Sequence, residues 1–487
     1  IKLIAKQNKD LQELSGWRPI SLMNVDVKIL ARAASERVRF TLSDLISRNQ
    51  IAYMKGREMC EGNRLIDYLI EFNEARDGGF VVAIDFEKAF DSVSHSYLDK
   101  TLQGYGFPAE FRDLVRTLYC NAESAVMNNG FKTQAFPLGR GCRQGDPLSP
   151  YLFSLVIDPL VRQINEDLEI RGLSTPFRKV KSAAYADDLT LFVADEDSLR
   201  RCLKILEDFG KASGLKVNQA KTEIMPLKGG QVQPDLQGYL KDVIKITGIN
   251  HGNRDGKAEA IRLNEESALG KMERMINQWK SRDLTLLGKC QVIKSQGLAH
   301  IRSLAMSMPI SKATIKKAEK IVYRFLWNGP DRIPRSTASE RLEEGGLNLP
   351  EIDTVVTATM LGWLRRARSS KDPWVDFLKW DASRLGGIRA VLRGQKKTYD
   401  DDTHLEFNKC LFQEVTKLSN LEAGTDDIFM KTSVWDNNLF RGPDGKALPR
   451  CSLSRNGYVL VEDFVDDDGR IIEAHETLRK GLAGRHL

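Results

Sequence analysis

Long apolar runs, paired cysteines and internal repeats are all missing from this 487-residue chain. The most apolar stretch, Tyr151 to Val161, contains Asp158 and Pro159 and falls short of the ~18 residues a membrane span needs. No membrane-spanning segment is expected. Cys60, Cys120, Cys142, Cys202, Cys290, Cys410 and Cys451 are scattered, without Cys-x-x-Cys spacing or a Cys/His cluster. This spacing argues against zinc ligation and a disulfide framework, and fits a reducing compartment. The chain opens on Ile1, with neither Met nor a signal peptide, and reads as a piece of a longer polypeptide. Asp466-Asp467-Asp468-Gly469 lacks the alternating ligands and terminal Glu of a calcium loop, so it reads as a turn.

The length corresponds to roughly three to four domains' worth of chain. The net charge of +7 is modest, but it is unevenly placed. Between Arg254 and Arg341 there are 18 Lys and Arg against 9 Asp and Glu, an excess of nine, which leaves about −2 for the rest. A basic segment in a chain with a carboxylate site points to phosphate-backbone binding beside metal chemistry. A generic basic surface is the competing reading.

Two adjacent acids stand out, in Ser182-Ala183-Ala184-Tyr185-Ala186-Asp187-Asp188-Leu189-Thr190-Leu191-Phe192-Val193. Short apolar runs on both sides predict a β-hairpin whose loop carries the carboxylates. Neighbouring carboxylates repel, which raises at least one pKa unless a cation is shared; hard oxygen donors suit Mg²⁺. A solvated acidic turn is the bland reading of such a pair. A third acid in a similar setting weighs against it: an apolar strand, Phe80 to Ile84, ends on Asp85 and turns through Glu87 and Lys88. Three such acids converging on two cations would stabilise the attacking and leaving oxygens of an in-line displacement.

Other stretches are weak one by one. A helix is expected from Val25 to Leu42, with Val25, Ile29, Leu30, Ala33 and Ala34 on its apolar face. Lys55-Gly56-Arg57 is a glycine turn between two cations, suited to a triphosphate or simply exposed. In Leu138 to Pro150, Gly139, Gly141 and Gly145 let the backbone approach a ligand, and Ser149 as N-cap with Pro150 at N1 starts a helix burying Leu152, Phe153, Val156, Ile157 and Leu160. Ser198 to Ser213 reads as an amphipathic helix, and Lys221 after it reads by default as a surface lysine, with contact to a departing pyrophosphate as the functional alternative. Residues 230–260 read as a linker or insertion. In Ser311 to Trp327, Ile315, Ala318, Val322, Phe325 and Leu326 form a core stripe, beside a basic stripe of Lys316, Lys320 and Arg324. That stripe suits a duplex backbone about as well as plain solvation.

In order along the chain, these stretches resemble the reverse transcriptases of non-LTR (LINE-type) retrotransposons, of the mammalian-type clade and truncated at the N-terminus. Trp17-Arg18-Pro19-Ile20-Ser21 and Gln50 to Arg57 resemble the fingers motifs, and Asp85 to Asp91 resembles motif A. Gly141 to Pro150 resembles motif B, Tyr185-Ala186-Asp187-Asp188 motif C, and Gly214 to Asn218 with Lys221 motif D. Trp279 to Lys289, Phe325 to Gly329 and Gly345 to Pro350 resemble the thumb and post-thumb segments, while Trp435 and Gly457 to Gly469 resemble the stretch beyond.

The resemblance implies an α+β right-hand polymerase: fingers, a palm with a small antiparallel sheet, a helical thumb and a mostly helical C-terminal extension. The implied division is 1–80 fingers, 81–228 palm with part of the fingers interleaved, 229–340 primer-grip region and thumb, and 341–487 post-thumb. It implies RNA-directed DNA synthesis, adding dNMPs to a primer 3′ end in target-primed reverse transcription, with template RNA, primer or target DNA and dNTPs as partners. Asp85, Asp187 and Asp188, helped by the Phe86 carbonyl, would hold two Mg²⁺, with Mn²⁺ as a substitute. Phe90 would lie under the sugar and crowd a 2′-OH; Gln144 and Gly145 would pack on nucleotide and template. Lys55 and Arg57 would bind the triphosphate, Lys221 the pyrophosphate, and Lys316, Lys320 and Arg324 the nucleic acid. An intracellular place, nuclear or cytoplasmic in a eukaryote, is expected, and oligomeric state stays open.

Two departures from the family pattern matter. Thr247-Gly248-Ile249 stands where a Tyr-Leu-Gly-like primer grip is expected, and neither a nuclease carboxylate set nor a Cys/His knuckle follows in the tail. The alternatives are an RNA-templated RNA polymerase or nucleotidyl cyclase, and a catalytically silent, retroelement-derived RNA-binding protein.

Overall fold

The computed structural model describes residues 1–6, 10–385, 387, 388, 391 and 405–418. Asp400 to Asp402, Trp435 and Gly457 to Gly469 therefore lie outside the described residues. The chain divides into two compact units, Ile1–Asn264 and Glu265–Leu487.

In the first unit the principal strands are β1 (Lys2–Ala5), β2 (Trp17–Ile20), β3 (Gly79–Ile84), β4 (Ser182–Tyr185), β5 (Asp188–Val193), β6 (Glu223–Leu227), β7 (Val243–Ile246) and β8 (Ile249–Gly252). Its main helices are α1 (Val25–Leu45), α2 (Met59–Glu74), α3 (His95–Gly104), α4 (Ala109–Tyr119), α5 (Ser149–Glu166) and α6 (Glu196–Ser213). The central sheet has the antiparallel order β4-β5-β3-β6. β5 and β3 are its interior strands, and on β3 Phe80, Val81, Val82 and Ile84 are apolar on both faces and all buried.

Helix α5 packs beneath this sheet, and Leu152, Phe153, Leu155, Val156, Ile157, Leu160, Val161 and Ile164 are fully buried. An all-round apolar helix belongs in the interior. Its buried acid, Asp158, is well partnered. It accepts from the Tyr105 hydroxyl, from Arg162 Nε at 2.6 Å and from the Ser47 N–H at 2.8 Å. Removing one such partner would leave an uncompensated buried charge, typically a loss of about 3–5 kcal/mol.

Two expectations are corrected in this unit. Helix α1 forms, but Val25 and Ile29 lie on its exposed side, and Ala31, Ala34, Ser35, Val38 and Leu42 are buried instead. Leu30 and Ala33 are exposed too, so of the expected face only Ala34 is buried, and the inward face is the one that Val38 and Leu42 continue. Residues 230–260 are not a linker: β7 and β8 form a hairpin within them, with His251 and Asn253 buried. His251 Nδ1 sits 2.6 Å from Asp67 on α2, so polar residues that read as solvated are paired in the interior.

Helix α7 (Lys257–Asn277) carries the chain into the second unit, where the main helices are α8 (Leu298–Ser307), α9 (Lys312–Trp327), α10 (Ile352–Ser369), α11 (Pro373–Ser383) and α12 (Glu406–Leu418). Trp363 on α10 anchors that unit, meeting Trp374 edge-on at 4.8 Å and Phe407 at 6.0 Å between ring centroids. Among the described residues no helix is long and apolar enough to cross a membrane.

Candidate active site

The register of the central sheet decides where the acids lie. Leu189 pairs with Ile84 and Val193 with Phe80, so Asp188 and Asp85 each stand one residue beyond the last pair, at the same end of the ladder. Tyr185 pairs with Asp188, which leaves Ala186 and Asp187 as a two-residue hairpin loop. Ala186 adopts the left-handed region at φ 55°, an uncommon conformation for a residue with a Cβ.

The electrostatics record this convergence. Partial loss of hydration in the cleft raises the Asp187 carboxyl, and the charge of Asp85 adds to it. Asp188 is pushed up to about 6, by the same loss of hydration and then by Asp187 and Asp85. The tip of Asp188 still reaches solvent, so the surrounding walls rather than full enclosure strip its water. Lys221 opposes both shifts, and its Nζ lies 2.9 Å from Asp85 Oδ2.

Among the described residues no three His, Cys, Asp or Glu side chains are drawn into a ready coordination shell. The acids share the cleft, but the Asp85 carboxylate is turned to an ammonium. An all-oxygen donor set with excess negative charge fits a hard divalent cation. Phe86 adds to that set. Its bridge to Val217 uses the Asp85 carbonyl and the Glu87 N–H, which leaves the Phe86 carbonyl facing the β5 side.

Phe90 lies half-buried with its ring stacked on Phe153, the centroids 4.4 Å apart. The glycine loop is fastened to the same turn. Cys142 N–H donates to the Phe90 carbonyl at 2.6 Å, and Gly141 N–H to Val93 at 2.8 Å. Gly141 has φ 95°, and a Cβ there would stand 2.8–3.0 Å from the Asp91 backbone. Gly145, at φ 99°, would bring a Cβ 3.1 Å from the Ser21 carbonyl, and Ser21 N–H donates to Gln144 O. The expectation that these glycines make room for a ligand is thus corrected for Gly141 and Gly145. Their close neighbours are the chain itself. The Gln144 side chain reaches Asp91 Oδ2 at 3.5 Å.

The helix start is also corrected. Ser149 is already within α5, buried, with its Oγ 3.2 Å from the Tyr119 hydroxyl. Leu148 is the N-cap residue, without a side-chain cap, and Asp146 steadies the turn before it by accepting the Leu148 N–H at 2.9 Å.

In the fingers loop the two cations part company. Lys55 is exposed, 5.9 Å from the Phe40 ring centroid. The Arg57 guanidinium donates to the carbonyls of Ser43, Ile46, Ser47 and Gln50, at 2.5–3.2 Å. Arg57 therefore fixes the loop rather than presenting a fork to a triphosphate, which corrects that expectation. Two residues of this loop were given no role of their own from the sequence. Gln50 is wholly buried against Ala186, and the Tyr53 hydroxyl is pushed up by burial and then by the charge of Asp187. No local pattern marks either, since both contacts span more than 130 residues.

In the second unit α9 buries Ile315, Ala318, Val322, Phe325 and Leu326 and exposes Lys316, Lys320 and Arg324. Lys320 and Arg324 line a cleft of about 780 Å³ with Lys280, Asn328, Asp331 and Arg335. Lys316 lies outside that lining. Arg335 is already paired with Glu319 and Asp331.

One acid at the end of an interior strand and two on the adjoining hairpin define the palm of a template-directed polymerase. Residues 4–251 match the family model described as reverse transcriptase (RNA-dependent DNA polymerase). The chain belongs to that family, within its non-LTR retrotransposon branch. It is 31% identical to a transposon TX1 uncharacterized 149 kDa protein of Xenopus laevis, over 75% of this chain and 28% of that one. It is 28% identical to the Pol polyprotein of the type-2 element R2DM of Drosophila melanogaster, over 96% of this chain and 44% of that one. For the R2 Pol polyprotein of Popillia japonica the values are 24%, 88% and 62%. The chain thus spans between about a quarter and three-fifths of these relatives' lengths. Among solved structures, the RNA-dependent RNA polymerase of a human picorbirnavirus aligns at 15% identity with a TM-score of 0.41, over 70% of this chain and 60% of that one.

Proposed function

We propose that the chain is an RNA-directed DNA polymerase that adds dNMPs to a primer 3′ end on an RNA template, as in target-primed reverse transcription. The observation that carries this reading is the strand register that brings Asp85 to the same end of the sheet as Asp187 and Asp188. Held by Asp85, Asp187, Asp188 and the Phe86 carbonyl, two Mg²⁺ would neutralise charge on the attacking and departing oxygens. Lys221 swings from Asp85 toward the departing pyrophosphate once its partner is engaged. Lys55 binds the triphosphate, and Phe90 excludes a 2′-OH by crowding. Gln144 and Gly145 shape the floor on which nucleotide and template rest. Lys316, Lys320 and Arg324 bind the phosphate backbone of template and primer, a contact that weakens as salt rises.

The test is primer extension by the purified chain on poly(rA)/oligo(dT) with dTTP and Mg²⁺, with rTTP as the competitor. Incorporation of dTTP far above rTTP is expected. A folded chain that binds RNA fully and extends nothing sinks the reading. The Lys221–Asp85 pair is the one feature favouring a silent RNA-binding protein, and salt-sensitive RNA binding without synthesis is its signature.

A further inference from the structure

Gln50 touches the hairpin loop at its strained residue. Its Oε1 accepts the Ala186 N–H at 3.2 Å and the Ala52 N–H at 3.1 Å, while its Nε2 faces the Ala186 carbonyl at 3.4 Å. The side chain is 0% exposed, so it brackets Ala186 on both sides without competition from water. The backbone reinforces the grip. Ala184 N–H donates to Asn49 O and Ile51 N–H to Ala184 O, each at 2.8 Å, so residues 49–51 lie along the free edge of β4. Arg57 in turn holds the carbonyls of Ser47 and Gln50, both at 2.5 Å. This chain of contacts runs from α1 to the one loop residue that sets the direction of Asp187.

We propose that Gln50 is a positioning residue for nucleotidyl transfer: its amide locks the Ala186 peptides in the left-handed form that aims Asp187 and Asp188 into the metal cleft, with Arg57 bracing the loop behind it. This rests on the polymerase reading for its kinetic consequence, but not for its structural one. Removing the amide leaves Ala186 free to relax toward ordinary φ, which turns the Asp187 carboxylate away from Asp85 and Asp188. Among the described residues the Gln50 amide bonds only Ala186 and Ala52, so Lys55 farther along the loop and the basic stripe of α9 keep their affinity for triphosphate and RNA.

The experiment compares the wild-type chain with Gln50→Met, which preserves length and burial, and with Gln50→Glu, which keeps the acceptor and lacks the donor. Three readouts are taken: Mn²⁺ affinity without nucleotide by electron paramagnetic resonance, kcat and dNTP KM in primer extension, and the melting temperature. Gln50→Met is expected to lower kcat by about 100-fold, the usual cost of a misplaced reacting group, with KM and RNA affinity within about twofold. Mn²⁺ affinity falls about tenfold with it. Gln50→Glu falls between the two and supplies the answer if Gln50→Met does not fold. Adding Ala186→Gly, which adopts positive φ without strain, recovers part of both losses. Unchanged Mn²⁺ affinity and unchanged kcat per folded molecule, even with a lower melting temperature, overturn the proposal. A wild-type chain that extends no primer overturns the polymerase reading alone, because Mn²⁺ affinity then decides the role of Gln50.

Discussion

The Lys221 ammonium and the Asp85 carboxylate meet at 2.9 Å, across 136 residues of sequence. The short turn Gln219–Lys221 brings the lysine there, and Asn218 N–H anchors that turn on the Asp85 carbonyl at 2.7 Å. The pair is the local answer to three converging acids: a built-in cation balances charge that would otherwise repel. Any metal at Asp85 must compete with it. Lys221→Met is therefore expected to tighten Mn²⁺ binding in the absence of nucleotide by about threefold to tenfold, while slowing synthesis. Mn²⁺ titration of the two proteins checks this, and equal affinities would show that the lysine yields at no cost.

Removing a carboxylate should act on chemistry alone. Asp187→Asn is expected to lower primer extension by at least about 10³-fold, as loss of a group acting only in the transition state does. RNA affinity, measured by filter binding, stays within about twofold. Activity surviving in this variant rules out the metal assignment. Chelation of Mg²⁺ by EDTA should silence the wild-type chain to the same degree, and added Mg²⁺ should restore it.

Gly141 gives a prediction about folding instead. Its φ of 95° and the Asp91 backbone 2.8–3.0 Å from a hypothetical Cβ leave no room for Ala. Gly141→Ala should destabilise the first unit by about 2–3 kcal/mol, from backbone strain and overpacking together. Urea unfolding measures it. Gly139, with open space around its Cβ position, is the control and should tolerate the same change.

Asp99 predicts a pH effect. Hydrogen bonds from Arg112 and then Arg116 hold its carboxyl down at about 2, below the ordinary value of 3.8. A depressed folded-state pKa means the stabilisation is complete above about pH 5 and is lost as pH falls toward 2. Asp99→Asn should thus lower the melting temperature at pH 6 and leave it little changed near pH 2. A constant difference across that range would exclude the ion pair as the cause.

Much of the palm was legible because its signals are local. The apolar run Phe80 to Ile84 reads as a buried strand, and the two apolar runs around Asp187 and Asp188 read as a hairpin. The buried face of α5 was legible for the same reason. Periodicity misled on α1, which turns Ala31, Ala34, Val38 and Leu42 inward and exposes Val25, Ile29, Leu30 and Ala33. Composition misled at residues 230–260, where charged and polar residues reach buried partners far away in sequence. Arg57 looked like a phosphate ligand because nothing local reveals four carbonyls converging on its guanidinium.

What the sequence by itself determined is the kind of protein: ordered motifs, each an acid or glycine fixed to a strand end or turn, mark a non-LTR reverse transcriptase. Only the tertiary structure decided which residues stand behind the acids and their loops. Gln50 on Ala186, Lys221 on Asp85 and Arg57 on its own loop are contacts between side chains and distant or turned-back main chain. Hydrogen bonds and ion pairs of that kind depend on three-dimensional register, and no spacing along the chain encodes them.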